Sequence, residues 1–209
     1  MTRETVATMN IDFERYKGLI FDMDGTLLDT MPNHVASWKL AAEHFDFPFD
    51  GPWLNSMGGM PSVKIVPKIN ERYGKQFDSK TVADYKMERY AEMQHQVTLI
   101  ADTNDVLNRY LGKKKIAVGT GSQRDSATRL LTQAGIWDKV DTLVSATDVS
   151  NHKPHPETFL TACEELGLSS NDCVVFEDTL LGMQAAHAGG MDCVLVTAQG
   201  LEFHPVLVP

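Results

Sequence analysis

The chain has 209 residues, 43% of them hydrophobic, enough for one large core or for a core carrying a smaller inserted unit. Its 28 acidic side chains outnumber the 19 basic ones, for a net charge of −9, which argues against nucleic acid as a partner because that needs a basic footprint. No apolar run approaches the ~20 residues of a membrane span, residues 1–15 lack the apolar stretch of a signal peptide, and Cys163, Cys173 and Cys193 show no Cys-x-x-Cys spacing; the expectation is a cytoplasmic monomer with no membrane partner.

In chain order, the first informative stretch is Gly18-Leu19-Ile20-Phe21, a short apolar run that reads as a buried parallel strand. Asp22-Met23-Asp24-Gly25-Thr26 follows it, and Gly25, lacking a Cβ, allows a sharp turn there. Open α/β sheets bind ligands at the carboxyl ends of their strands, so Asp22 and Asp24 are candidate site residues. An acidic turn with no further role is the alternative.

Beyond Thr30 the period becomes helical, with Pro32 suited to a first turn and Val35, Trp38, Ala41, Ala42 and Phe45 at three- and four-residue spacing. Residues 47–60, with Pro48, Gly51, Pro52, Gly58 and Gly59, read as a loop. Pro61-Ser62 opens a helix through Ile65 and Ile69, which Pro67 is expected to kink or split. Residues 80–97, carrying Val82, Tyr85, Met87, Tyr90 and Met93, read as a further amphipathic helix.

From residue 100 the rhythm changes. Apolar runs at 115–119, 143–145, 173–176 and 193–196 alternate with helical stretches at 125–134, 154–166 and 180–188. The helices close at Gly135, Gly167 and Gly189-Gly190, suitable C-terminal stops. Alternation of this kind predicts a parallel sheet covered on both faces. The expected fold is therefore α/β: a Rossmann-like doubly wound parallel sheet from residues 1–30 and 99–209, with residues 31–98 inserted as an all-helical cap domain. The tail 200–209 shows no clear element.

Four strand ends carry polar groups that such a sheet brings to one edge: Asp22 and Asp24, Thr120-Gly121-Ser122, Asn151-His152-Lys153-Pro154, and Glu177-Asp178. Each has an ordinary reading: a turn and cap for 120–122, a solvated lysine for Lys153, a helix N-cap pair for 177–178. Together they suggest a site. Converging carboxylates repel unless a hard cation joins them, and Mg²⁺ takes one or two carboxylates together with substrate phosphate. Asp22 and Asp178 are the natural direct ligands, with Glu177 nearby or acting through water.

The set resembles the four motifs of the haloacid dehalogenase superfamily: Asp22-Met23-Asp24-Gly25-Thr26 its first, Thr120 its second, Lys153 its third and Glu177-Asp178 its fourth, in order from Gly18 to Val196. The helical insertion resembles the small cap of the subgroup containing β-phosphoglucomutase and sugar-phosphate phosphatases. The resemblance implies a Mg²⁺-dependent enzyme acting on a small phosphorylated sugar such as fructose 1-phosphate or 6-phosphogluconate. It implies that Asp22 attacks phosphorus, that Asp24 serves as acid and base and belongs to the metal site, and that Lys153 balances charge. Thr120, Gly121 and Ser122 would then meet the phosphate. Gly59 and Ser62 fall on the loop that reads the leaving group, and His34 on a position near the cap hinge, within reach of Asp24. Hinges are expected near Thr30-Met31 and Val97-Ala101.

A phosphomutase is the nearest alternative, and a non-catalytic metabolite-binding protein a more distant one. A mutase needs a second basic site for the phosphate that stays behind. Where the mutase pattern implies lysines this chain has Gln123, after Ser122, and Glu92, although Arg124 and Lys64 offer positive charge nearby.

Overall fold

A computed structural model describes residues 11–93 and 97–206. Strand β1 spans Gly18–Phe21. Four helices follow, α1 (Met31–Phe45), α2 (Gly51–Asn55), α3 (Ser62–Tyr73) and α4 (Ser79–Glu92). After them come α5 (Ala101–Tyr110), β2 (Lys115–Gly119), α6 (Arg124–Gln133), β3 (Thr142–Val144) and α7 (Glu157–Glu165). The chain closes with β4 (Cys173–Glu177), α8 (Leu180–Ala188), β5 (Asp192–Thr197) and β6 (Gly200–His204).

The strands form one sheet in the order β3-β2-β1-β4-β5-β6. The first five are parallel, with β1 central between β2 and β4, and β6 pairs antiparallel with β5. Side chains alternate across the sheet, as strand geometry requires. Leu19 and Phe21 of β1, with Val174 and Phe176 of β4, join one core with Leu107 of α5 and Leu130 of α6. Ile20 and Val175 point the other way, toward Phe159 of α7 and Ala185 of α8. Both faces are thus covered, which explains why β1 and β4 read as unbroken apolar runs.

Helices α1–α4 surround a core of their own, built on Trp38, Leu54, Met57, Ile65, Val66, Ile69 and Val82. The two chain segments joining them to the sheet run side by side. Asp29 N–H donates to Thr98 C=O at 2.9 Å, and Ile100 N–H to Leu27 C=O at 2.9 Å.

Five expectations need correction. The 47–60 stretch is not all loop: Asp50 caps α2 through Trp53 N–H at 3.0 Å. Pro67 does not split α3, which runs continuously over residues 62–73; a proline removes only one backbone donor. Helix α7 begins at Glu157, three residues later than expected, and α4 ends at Glu92, with residues 94–96 outside the described part. The tail is not featureless: β6 forms the sheet's outer strand, its Leu201 and Phe203 packing against the core, while residues 207–209 lie outside the described residues. Helix α5 was not foreseen, although Thr103, Val106, Leu107 and Tyr110 bury one helical face. Among the described residues no helix is long and apolar enough to cross a membrane.

Candidate active site

The central strand delivers Asp22 to the carboxyl edge of the sheet. Its N–H donates to Phe176 C=O at 2.9 Å, and Thr120 N–H donates to Val144 C=O at 2.9 Å, so the ladder continues one step past each strand. There the chain turns on Gly25, whose φ is +87°. A Cβ on Gly25 would lie 2.2 Å from Asp178 Oδ2. The glycine is needed twice, for the backbone angle and for the close approach of a carboxylate.

Lys153 is the hub of this edge. It is 2% exposed and its Nζ donates to Asp22 Oδ1 at 2.6 Å, Glu177 Oε1 at 2.6 Å and Gly119 C=O at 3.1 Å. Burial alone would depress the lysine, but Asp22 and Glu177 outweigh it and raise its pKa. The second Glu177 oxygen is also taken, by Thr179 N–H at 2.9 Å and Thr179 O–H at 2.8 Å.

Asp22 and Asp178 are less well supplied. Asp22 Oδ2 is buried without a partner among the described residues. Burial, opposed by Lys153 and reinforced by Glu177, Asp178 and Asp24, pushes Asp22 well above the usual carboxylate range. Burial and Glu177 push Asp178 up to about 7. Ligand oxygens of Asp22, Glu177 and Asp178 all lie within 4.8 Å of one another. One lysine cannot neutralise three carboxylates, so the cluster lacks positive charge, and one of its members carries an orphaned buried oxygen. This donor set, oxygen only, suits a hard divalent cation.

Asp24, two residues from Asp22, sits in the opposite setting. Thr30 O–H donates to its Oδ1 at 2.6 Å and Ser122 O–H to its Oδ2 at 2.6 Å, with His34 Nε2 at 3.4 Å. Burial pushes this carboxyl up, but His34, Ser122 and Thr30 outweigh it and hold it below the usual range. Its carboxylate is turned toward these donors and lies outside the Asp22–Glu177–Asp178 cluster.

Above the edge lies a cavity of about 290 Å³, walled by α1–α4 and floored by Asp24, Gly121, Ser122 and Gln123. The loop at Gly58-Gly59 reaches down to that floor. A Cβ on Gly121 would meet Gly59 C=O at 2.1 Å, although the Gly121 backbone itself does not have positive φ. A glycine stands at 121 because another backbone lies on it. Gly59, with φ +78°, passes over Lys153, whose Cδ would lie 3.2 Å from a Cβ there. Ser62 lines the same cavity, its hydroxyl 3.7 Å from Met87 Sδ.

The arrangement therefore offers an acceptor-rich cation pocket, a second carboxylate held by hydroxyl and imidazole donors, a buried lysine and an enclosed cavity. A sequence model of the haloacid dehalogenase-like hydrolases matches residues 19–196. The chain belongs to the haloacid dehalogenase-like hydrolase family.

Relatives of this haloacid dehalogenase-like protein include fructose-1-phosphate phosphatase YqaB of Escherichia coli (strain K12), 38% identical over 87% of this chain and 97% of the relative. β-Phosphoglucomutase of Bacillus subtilis (strain 168) is 28% identical over 85% of this chain and 82% of its own. Among solved structures, β-phosphoglucomutase from Clostridium difficile superposes with a TM-score of 0.78 at 26% identity, covering 87% of this chain and 85% of that one.

One expected residue of this haloacid dehalogenase-like chain is not brought to the site. Arg124 turns away: Nη2 donates to Asp148 Oδ2 at 2.7 Å and to Leu143 C=O at 2.8 Å. Glu92 is exposed and paired with Arg89 at 2.7 Å, so its position says nothing about cations in the cavity. The cap cation is instead Lys86, which sequence reasoning missed. It is 1% exposed, and its Nζ donates to His34 Nδ1 at 2.7 Å. A signal existed: Val82, Lys86 and Tyr90 fall four residues apart, on the buried face of α4. Thr179, which fixes Glu177, and Thr30, which fixes Asp24, were also missed.

Proposed function

We propose that this chain is a Mg²⁺-dependent phosphatase of small sugar monophosphates, such as fructose 1-phosphate, working through an aspartyl-phosphate on Asp22. The observation that carries the reading is the contrast between Asp22 and Asp24, two residues apart at one strand end yet set for different tasks. Residues 1–30 and 99–209 form the catalytic core in this reading, and residues 31–98 the cap.

Asp22 and Asp178 would hold the cation, with Glu177 beside them; the orphaned Oδ2 of Asp22 and the raised Asp178 fit that role. When bound, Mg²⁺ would supply positive charge to offset the negative charge spread over the transferring phosphoryl oxygens. Lys153 supplies further positive charge and keeps Asp22 aimed. Asp22 attacks phosphorus, which splits one difficult displacement into two. Thr120 O–H and the Gly121 amide would meet the phosphate oxygens, with Ser122 N–H donating to Thr120 Oγ1 at 3.1 Å.

Asp24 is ionised in the free site, held so by Thr30, Ser122 and His34. That form deprotonates water in the second step. An arriving phosphate dianion raises the proton affinity of the carboxylate beside it, so the same group carries the proton for the leaving oxygen in the first step. Gly59 over Gly121 and Lys153 closes the site from water, with paired segments at Asp29–Thr98 and Leu27–Ile100 as the connection on which the cap moves.

The test is to supply fructose 1-phosphate, and separately β-glucose 1-phosphate with a trace of the 1,6-bisphosphate. Inorganic phosphate from the first and little glucose 6-phosphate from the second is the expected result. Efficient glucose 6-phosphate formation assigns the chain to the mutases, and no turnover of either refutes the enzyme reading.

A further inference from the structure

The charges around the leaving-group cavity are unevenly committed. Among the described residues that line it, the basic side chains are Lys86 and His34, and the acidic ones Asp24 and Asp84. Lys86 is buried against the rings of Trp38 and Tyr90, 5.6 and 5.2 Å from their centroids, and its Nζ is bonded to His34 at 2.7 Å. His34 in turn faces Asp24 at 3.4 Å. This positive charge is spent on Asp24.

Asp84 has no such cation within the cavity. It lies on α4 with its side chain 56% exposed, and its ion-pair partner, Lys80, is 79% exposed and not part of the lining. Lys64 does not line the cavity either, and Arg124 is bound to Asp148. Asn55, Ser62 and Gln123 also line it, with Ser122, whose hydroxyl is given to Asp24, and all four are neutral. The two amides and the Ser62 hydroxyl donate to and accept from alcohols equally well.

We propose that this cavity selects a neutral, hydroxyl-rich leaving group, and that Asp84 is a specificity-determining residue that disfavours leaving groups bearing a carboxylate or a second phosphate. The inference rests on the phosphatase reading above and narrows it. An anion enclosed here would lose water without gaining a free cation, and would meet the field of Asp84 at short range.

The experiment compares glucitol 6-phosphate with 6-phosphogluconate, which share chain length and phosphate position and differ only in an alcohol or a carboxylate at the far end. Fructose 1-phosphate serves as the reference. The full chain with Mg²⁺ is expected to favour glucitol 6-phosphate by about tenfold or more in kcat/KM at low salt. D84N should narrow that ratio severalfold, and so should raising ionic strength toward about 1 M, where the screening length falls to about 3 Å. A ratio of one or less, with fructose 1-phosphate still hydrolysed, overturns charge selection and leaves the phosphatase reading standing. An unchanged ratio in D84N overturns the assignment to Asp84. Release of phosphate from none of the three overturns both.

Discussion

At the rim of the sheet, Lys153, Glu177 and Asp24 each have their polar atoms engaged, most of them at 2.6–3.1 Å. The helical segment above looks down on them with a wall rich in methionine and aliphatic side chains: Met31, Met57, Met60, Met87, Leu54 and Ile65 line the cavity. The difference teaches how the labour is divided. Charged groups at the rim fix one another, so removing one disturbs the rest. Apolar packing in the helical segment adapts, because methionine is unbranched and flexible, and in the proposed reading it leaves the choice of leaving group to a few polar residues.

The largest expected break in this comparison is Asp22→Asn. Turnover should fall by more than about a thousandfold, since the nucleophile is lost, while the circular dichroism spectrum stays that of the wild type. Retention of more than a tenth of the activity contradicts the aspartyl-phosphate route.

Metal removal comes next. A chelator should abolish activity and Mg²⁺ restore it. In a thermal melt Mg²⁺ should raise the midpoint of the chelated protein, because a ligand that binds only the folded state stabilises it. Asp178→Ala should lose most of that rise, whereas Asp84→Asn, in the cap, should keep it. Equal rises in the two variants would place the cation elsewhere.

Lys153→Met sharpens the contrast in stability. It strands Asp22 and Glu177 in the interior, and breaking a buried pair on one side costs about 3–5 kcal/mol. Arg124→Ala breaks the pair with Asp148 (2.7 Å, arginine side chain 44% exposed) and should cost at most about 1 kcal/mol. Urea unfolding of both variants, metal-free, checks this; equal losses would show that Lys153 is not the hub of the rim.

The smallest effect is on pH. Asp178 in the folded, metal-free protein is raised to about 7, against about 3.9 in an unfolded chain. Between these values the native state keeps a proton that the unfolded state has lost. Metal-free stability should therefore fall as pH rises from about 4 to about 7 and then level off. Asp22 acts in the same direction. Asp178→Asn should flatten the decline in part, as read from urea midpoints at several pH values. A rise in stability over that window would reverse the sign and refute the burial argument.

What the sequence determined by itself is the polar rim at the sheet's carboxyl edge. An apolar run ending in Asp22-Met23-Asp24-Gly25 locates a central strand and its turn, and parallel strands share one carboxyl edge, so residue type and order suffice to gather Asp22, Thr120, Lys153 and Asp178. Tertiary structure decided the rest, because it depends on which partner a side chain finds. Gln123 and Arg124 are neighbours in sequence, yet one lines the cavity and the other turns to Asp148. Asp24 belongs to Thr30, Ser122 and His34 and not to the cation cluster, through hydrogen bonds reaching up to 98 residues along the chain. Lys86 is an ordinary helix lysine by composition. Only the packing of α4 against α1, which lays Trp38 and His34 beside it, makes it a buried charge facing the site. Strand β6 alternates Leu201 and Phe203 with polar residues, but a five-residue strand on an edge is stabilised mainly by the β5 ladder it joins, and that ladder exists only once the sheet has formed.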